Sequence, residues 1–225
     1  MNFGNGFIWN CGFGHLLTKE FNMVAIIDYG MGNLGSIKRK MDRIGVESII
    51  TSNREEIARS NKLILPGVGH FAKAVSEIKS RGLWNMLSDQ VIVEKKPILG
   101  ICLGMQLMAK RSEEGNEEGF GWFDAKVIRF KVSDKIRFKI PHVGWNTLNY
   151  LRGSHLFEKM EQNSEFYFVH SYHIQCNNSI DILTETVYDY TFTSSIQKEN
   201  IFGVQYHPEK SHDAGELLLR NFVNL

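Results

Sequence analysis

The chain has 225 residues, 43% of them hydrophobic and 23% charged, enough for a sizeable core in a single domain. Lys and Arg total 26 against 25 Asp and Glu, a formal charge of +1 that argues against bulk binding to nucleic acid or a membrane surface. Its cysteines, Cys11, Cys102 and Cys176, are far apart with no CxxC pair, so neither a disulfide framework nor a metal site is expected.

Residues 1–22 are rich in glycine and aromatics without periodicity. They lack a basic stretch ahead of Phe7-Ile8-Trp9, so they read as a disordered or artefactual extension rather than a signal peptide, with Met23 as the expected start. No apolar run reaches the roughly 18 residues that would cross a membrane. The run 24–28 is short, apolar and followed by glycines, a buried strand. A loop over 29–33 leads into a helix over 34–44, where Gly45 is placed to stop it. Strand 46–50, helix 54–59 and strand 62–65 follow, the last broken by Pro66-Gly67-Val68-Gly69. Helices are expected over 71–79 and 83–93, a strand over 97–101 and a helix over 105–110. This alternation predicts an α/β fold, an open and mostly parallel sheet with helices on both faces. The second half adds strands over 122–130, 138–140, 166–172, 182–186, 190–196 and 201–206, a hairpin loop at 198–200 and an amphipathic helix over 214–223. These predict added antiparallel strands. No linker or repeat divides 23–225, which reads as one domain.

The most informative segment is Gly100-Ile101-Cys102-Leu103-Gly104. Glycines two before and two after a central nucleophile mark a strand–turn–helix elbow, where a Cβ at either position would block the turn. Cys102 then lies at a helix N-terminus, where free amides favour a thiolate. Such a nucleophile needs a base, and Gly203-Val204-Gln205-Tyr206-His207-Pro208-Glu209 offers one far downstream. His207 follows a strand at the carboxyl edge, where open α/β sheets place their sites. Pro208 cannot extend the ladder, and Glu209 is close enough to orient the imidazole. Cys102, His207 and Glu209 are therefore the expected catalytic residues.

The elbow with Met105-Gln106, and the His-Pro-Glu segment with Lys210-Ser211, resemble the class I (triad) glutamine amidotransferases. More closely, the chain is similar to the glutaminase subunits of imidazole glycerol phosphate synthases. The likeness runs from Met23 to the C-terminus through Asp28-Tyr29-Gly30-Met31-Gly32-Asn33, Leu65 to Gly69, Arg111 to Gly115, Pro141 to Asn146 and Phe166 to Tyr172. It implies a flavodoxin-like sheet and hydrolysis of L-glutamine to L-glutamate and ammonia, with no cofactor. It implies an oxyanion hole from Leu103 and the Gly67, Val68, Gly69 loop, and a glutamine pocket from Gln106, Ser171 and Tyr172. It further implies a cytoplasmic heterodimer with a (β/α)₈ cyclase subunit, to which ammonia is channelled in histidine biosynthesis. Asn33, Pro141, Trp145, Tyr167 and Lys210 then match interface or gating positions.

Three other readings stand beside this one. Gly30-Met31-Gly32-Asn33-Leu34-Gly35 fits G-x-G-x-x-G after a strand, but the acid expected at the end of the second strand is missing: Ile50 is followed by Thr51, Ser52 and Asn53. A non-catalytic binding module is opposed by the intact Cys102, His207 and Glu209. Within the family, a paralogue supplying ammonia for amination of a surface-polysaccharide sugar is the alternative. Glu209-Lys210-Ser211-His212 and His173-Ile174 are somewhat similar to that branch.

Overall fold

Short apolar runs separated by glycine-containing turns produce the parallel half of the sheet. The computed structural model describes residues 23–225, and the expected extension over 1–22 lies outside the described residues. The first strands are β1 (Val24–Ile27), β2 (Ser48–Thr51), β3 (Lys62–Leu65) and β4 (Ile98–Ile101). They alternate with helices α1 (Leu34–Arg43), α2 (Arg54–Arg59), α3 (Phe71–Ser80) and α4 (Leu83–Ser88). A π-helical turn over Asp89–Val93 continues α4. Beyond the one-turn helix α5 (Leu103–Gln106) lie β5 (Ala109–Ser112), β6 (Glu117–Glu118), β7 (Phe123–Arg129), β8 (His142–Thr147) and β9 (Asn149–Tyr150). The chain ends with β10 (Glu165–His170), β11 (Tyr172–Cys176), β12 (Ile182–Tyr188), β13 (Tyr190–Lys198), β14 (Ile201–Val204) and α6 (His212–Val223).

The main sheet runs β2-β1-β3-β4-β14-β13-β11-β7-β5-β6, with β12 on β13 and β9 on β12. Pairing from β2 through β14 is parallel, and from β14 through β7 antiparallel. The open parallel sheet with antiparallel additions is therefore as expected. A separate two-stranded ribbon joins β8 to β10.

Successive strand residues face opposite sides, and this splits the core in two. Ala25, Ile27, Leu63 and Leu65 pack with Phe71, Ile78 and Leu83 from α3 and α4. Val24, Ile26, Ile64 and Leu99 pack with Ile37 and Met41 of α1 and Leu218 and Phe222 of α6. Helices thus cover both faces, and for that reason β1, β3, β4 and β14 are buried along their whole length. Each such Ile, Leu or Phe contributes about 1.5–3 kcal/mol by leaving water.

Three local expectations are corrected. The helix predicted over 105–110 is a single turn, Leu103–Gln106, and the chain re-enters the sheet as β5. Residues 138–140 form no strand. The strand begins instead at His142, just after a cis Ile140–Pro141 bond. The run 166–172 is two strands in two different sheets, parted at Ser171. The hairpin at 198–200 is present, with β13 ending at Lys198, β14 starting at Ile201 and Glu199 in the left-handed region.

Candidate active site

Cys102 occupies the tip of the turn from β4 into α5 with φ 54° and ψ −110°, a conformation that a side chain rarely adopts. It is held there by packing beneath it. A Cβ on Gly104 would lie 1.8 Å from the Leu65 carbonyl oxygen, and one on Gly100 would lie 2.7 Å from the Met105 nitrogen. These two glycines let the one-turn helix sit directly on β3 and β4. Cys102 N–H donates to Val204 O at 2.8 Å, which ties the tip to β14. A single turn sums few peptide dipoles, so its contribution at the thiol comes from the first amides rather than from a long macrodipole.

β14 is the strand beside β4, and the chain leaving it carries His207 to the same edge. Tyr167 O accepts from His207 N–H at 2.9 Å, and Ser211 Oγ–H donates to His207 O at 2.6 Å. Pro208 opens a short 3₁₀ turn over Pro208–Lys210. That turn places Glu209 Oε1 2.9 Å from His207 Nδ1, with both groups buried. His207 Nε2 is buried and makes no hydrogen bond among the described residues. Burial is the largest single influence on His207 and lowers its pKa. Cys102 and Glu209 together outweigh it and carry the imidazole up to about 10. Because the folded value is raised, the stability contributed by protonated His207 is complete below its ordinary value near 6.5 and is lost as pH rises through about 10. Glu209→Gln removes one of the two groups that raise it. The alkaline limb of the stability–pH curve is therefore expected to move down, as read by urea denaturation from pH 7 to 10.5; a limb at the wild-type pH would show that the carboxylate does not hold the charge.

A cavity of about 430 Å³ opens over Cys102. Of the residues expected from sequence, Val68, Gly69, Leu103, Gln106, Ser171, Tyr172, Pro141 and Lys210 line it with Cys102. Gly67 lies beneath, where a Cβ would meet Tyr29 Oη at 2.5 Å and the Leu103 Cβ at 2.8 Å. Gln106 Nε2 donates to both Tyr172 O and Gln205 Oε1, each at 3.0 Å. Leu103 N–H, first in its helix, has no acceptor within that helix. Trp145 and Tyr167 form a neighbouring group at 5.8 Å, with Lys210 Nζ 5.3 Å over the Tyr167 ring and His212 stacked on Trp145. Asn33 precedes α1 and is not brought to the cavity. Its carbonyl accepts from Ser36 and Ile37, and its side chain makes no capping bond.

Sequence reasoning missed Gln205, whose Nε2 donates to Cys102 Sγ at 3.5 Å, and Tyr29, whose hydroxyl donates to Pro66 O at 2.7 Å. It also missed Glu114, Val169 and His170 in the cavity wall. A polar residue directly after the apolar run of β14 was the one signal pointing to Gln205. Chemically, a thiol, an imidazole with one free nitrogen and a carboxylate on its other nitrogen are the set that nucleophile, base and orienter require.

The family model described as glutamine amidotransferase class-I matches residues 25–225. "Imidazole glycerol phosphate synthase subunit HisH 2" of Methanococcus maripaludis is 50% identical over 201 residues, covering 89% of this chain and 98% of its own. The protein of the same name from Pseudomonas aeruginosa is 41% identical, over 90% of this chain and 100% of its own. "Imidazole glycerol phosphate synthase subunit HisH" of Leptospira interrogans is 38% identical with the same coverage. A crystal structure of a glutamine amidotransferase superposes with a TM-score of 0.71 at 18% identity, covering 89% of this chain and 97% of that one. A chain in the structure of PurLQS from Thermotoga maritima superposes at 0.68 and 15% identity, covering 90% and 97%. These two likenesses concern the fold.

Proposed function

Since the chain belongs to the class I glutamine amidotransferases, we propose that it is the glutaminase subunit of an imidazole glycerol phosphate synthase. It hydrolyses L-glutamine and passes ammonia to a cyclase subunit in histidine biosynthesis. The observation that carries the chemistry is the 2.9 Å contact of His207 with Glu209 at the cavity that Cys102 and Gln106 line. The names of its relatives carry the choice of pathway.

In this reading Cys102 thiolate attacks the side-chain amide carbon of glutamine, and the carbonyl π-bond opens to an oxyanion. Leu103 N–H and an amide from the loop over 67–69 donate to that oxyanion. His207 gives its proton to the amide nitrogen, the C–N bond breaks, and ammonia leaves a glutamyl thioester on Cys102. Water then loses a proton to His207 Nε2 and adds to the thioester, and glutamate departs as the thiolate returns. Glu209 accepts from Nδ1–H throughout and holds Nε2 toward the reacting atoms. Gln106 and the backbone at Ser171 and Tyr172 bind the amino-acid end of the substrate. Pro141, Trp145, Tyr167, Lys210 and Asn33 are read as facing or gating the cyclase in a heterodimer. The amidotransferase domain is taken as 23–225, and a cytoplasmic location follows from the pathway. Among the described residues no helix is long and apolar enough to cross a membrane.

Complementation of a histidine auxotroph lacking its glutaminase subunit tests the pathway. Growth is expected. Failure to grow with well-expressed, folded protein would turn the assignment to the amination of a surface-polysaccharide sugar.

A further inference from the structure

β8 shows one face to solvent through Val143 and Trp145, and turns its first residue, His142, into the core. The ring of His142 is sandwiched between Phe168, centroids 5.0 Å apart, and Tyr188, at 4.0 Å, both nearly parallel to it. In the β8–β10 ribbon His142 stands opposite His170, and His142 Nδ1 lies 3.1 Å from His170 Nε2. His170 Nδ1 lies 2.8 Å from Tyr172 O, and Gln106 Nε2 donates to that same oxygen. A carbonyl only accepts, so His170 Nδ1 carries a hydrogen. Burial holds the His170 pKa well below its ordinary value and brings His142 down to about 4, so both rings are neutral near pH 7. His170 Nε2 is therefore a bare acceptor, and His142 Nδ1 must donate to it. The geometry allows one tautomer at each ring and one direction of donation, from β8 to the turn at Ser171 and Tyr172.

We infer that His142 and His170 form a neutral donor relay whose task is to position the Tyr172 carbonyl and its turn for glutamine, so that the solvent-facing strand β8 and the substrate pocket are set by one hydrogen-bond chain. This rests on the glutaminase reading above. His142 touches neither Cys102 nor the cavity, and it is a positioning residue acting through His170. The relay gives a physical reason for two histidines in an aromatic core that an all-phenylalanine packing would otherwise fill. It also makes a definite prediction about which ring atom matters.

His142→Phe keeps the stack between Phe168 and Tyr188 but removes the donor and leaves His170 Nε2 buried without a partner. His142→Asn places an amide N–H near the Nδ1 position and keeps the donor. Binding is read on the full chain as the glutamine concentration that half-protects Cys102 from iodoacetamide, with circular dichroism confirming the fold of each variant. That concentration is expected to rise about three- to tenfold in His142→Phe, the effect of one net hydrogen bond, and to stay within about twofold of wild type in His142→Asn. The alkylation rate without glutamine is expected to match wild type in both. Wild-type protection in His142→Phe, or equal weakening in both variants, overturns the relay and leaves the glutaminase reading standing. If glutamine fails to protect Cys102 in the wild type, the glutaminase reading falls and the relay with it.

Discussion

Cys102→Ala is expected to abolish glutamine-dependent turnover by roughly 10⁴–10⁶-fold, the loss found when a triad nucleophile is removed, while synthesis from added ammonium salts by the complex stays intact. The two halves of this result test different things. Loss with glutamine says that Cys102 Sγ forms the bond to the substrate. Retention with ammonium salts says that the cyclase step is intact, so that the loss with glutamine is loss of the ammonia source. The structure favours retention. The Cys102 side chain accepts the 3.5 Å donation from Gln205 Nε2 and helps raise the His207 pKa, and neither interaction holds the backbone of the elbow. Its backbone is held independently by the 2.8 Å bond to Val204 and by Gly104 packed against Leu65 of β3. Alanine meets the same positive φ as cysteine, so the substitution adds no new strain at the elbow. The measurement is steady-state turnover of the reconstituted complex with each nitrogen source. Loss of both activities would make Cys102 structural. Undiminished turnover with glutamine would place the nucleophile elsewhere.

The reach of sequence reasoning follows from how each feature is encoded. The elbow was legible because β4 is an unbroken apolar run that stops at glycines on both sides of Cys102, and because packing on Leu65 tolerates no Cβ at Gly104. His207 and Glu209 were legible because they flank Pro208 shortly after the apolar run of β14, which ends at Val204. β8 was not legible. It begins after Pro141, contains Gly144, and exposes Val143 and Trp145, so neither an alternating nor a continuous apolar pattern marks it. The break at Ser171 was hidden for the opposite reason. Phe166 through Tyr172 looks like one strand, and only the sheet shows that β10 pairs with β8 while β11 pairs with β7. The short α5 was over-extended because Met105 to Ala109 is good helix-forming sequence, and sheet pairing of Ala109 with Phe123 overrides it. Buried polar contacts such as Gln205 to Cys102 depend on side chains about a hundred positions apart in the chain, and no local pattern reports them.

The glutaminase activity of the isolated chain is expected to be low and to rise about 10²–10³-fold when the cyclase and its ligand are added, the value of one oxyanion-hole donor. The cause lies in the loop over 66–69. Its entry is fixed, because Tyr29 holds the Pro66 carbonyl at 2.7 Å and a Cβ on Gly67 would meet Tyr29 and Leu103. Beyond that point the restraint ends. Among the described residues neither Val68 nor Gly69 makes a hydrogen bond, Val68 is 41% exposed, and Gly69 has φ +112°. A peptide flanked by glycines and held by nothing can rotate at small cost, so its N–H is not preorganised toward the oxyanion. In the proposed heterodimer, a partner seated on Pro141 and Lys210 would close over the cavity that these residues line with Val68 and Gly69. It also bears on the base, because Tyr167 O accepts from the His207 backbone and Tyr167 N–H donates to Ser211 Oγ at 3.0 Å. In the proposed heterodimer, docking would reach the oxyanion donor through the cavity wall that Pro141 and Lys210 share with Val68 and Gly69, and the imidazole through these Tyr167 backbone contacts. The measurement is glutamate release by the isolated chain, with the cyclase, and with the cyclase and its ligand. Full activity of the isolated chain would show that the loop over 67–69 is preorganised without a partner.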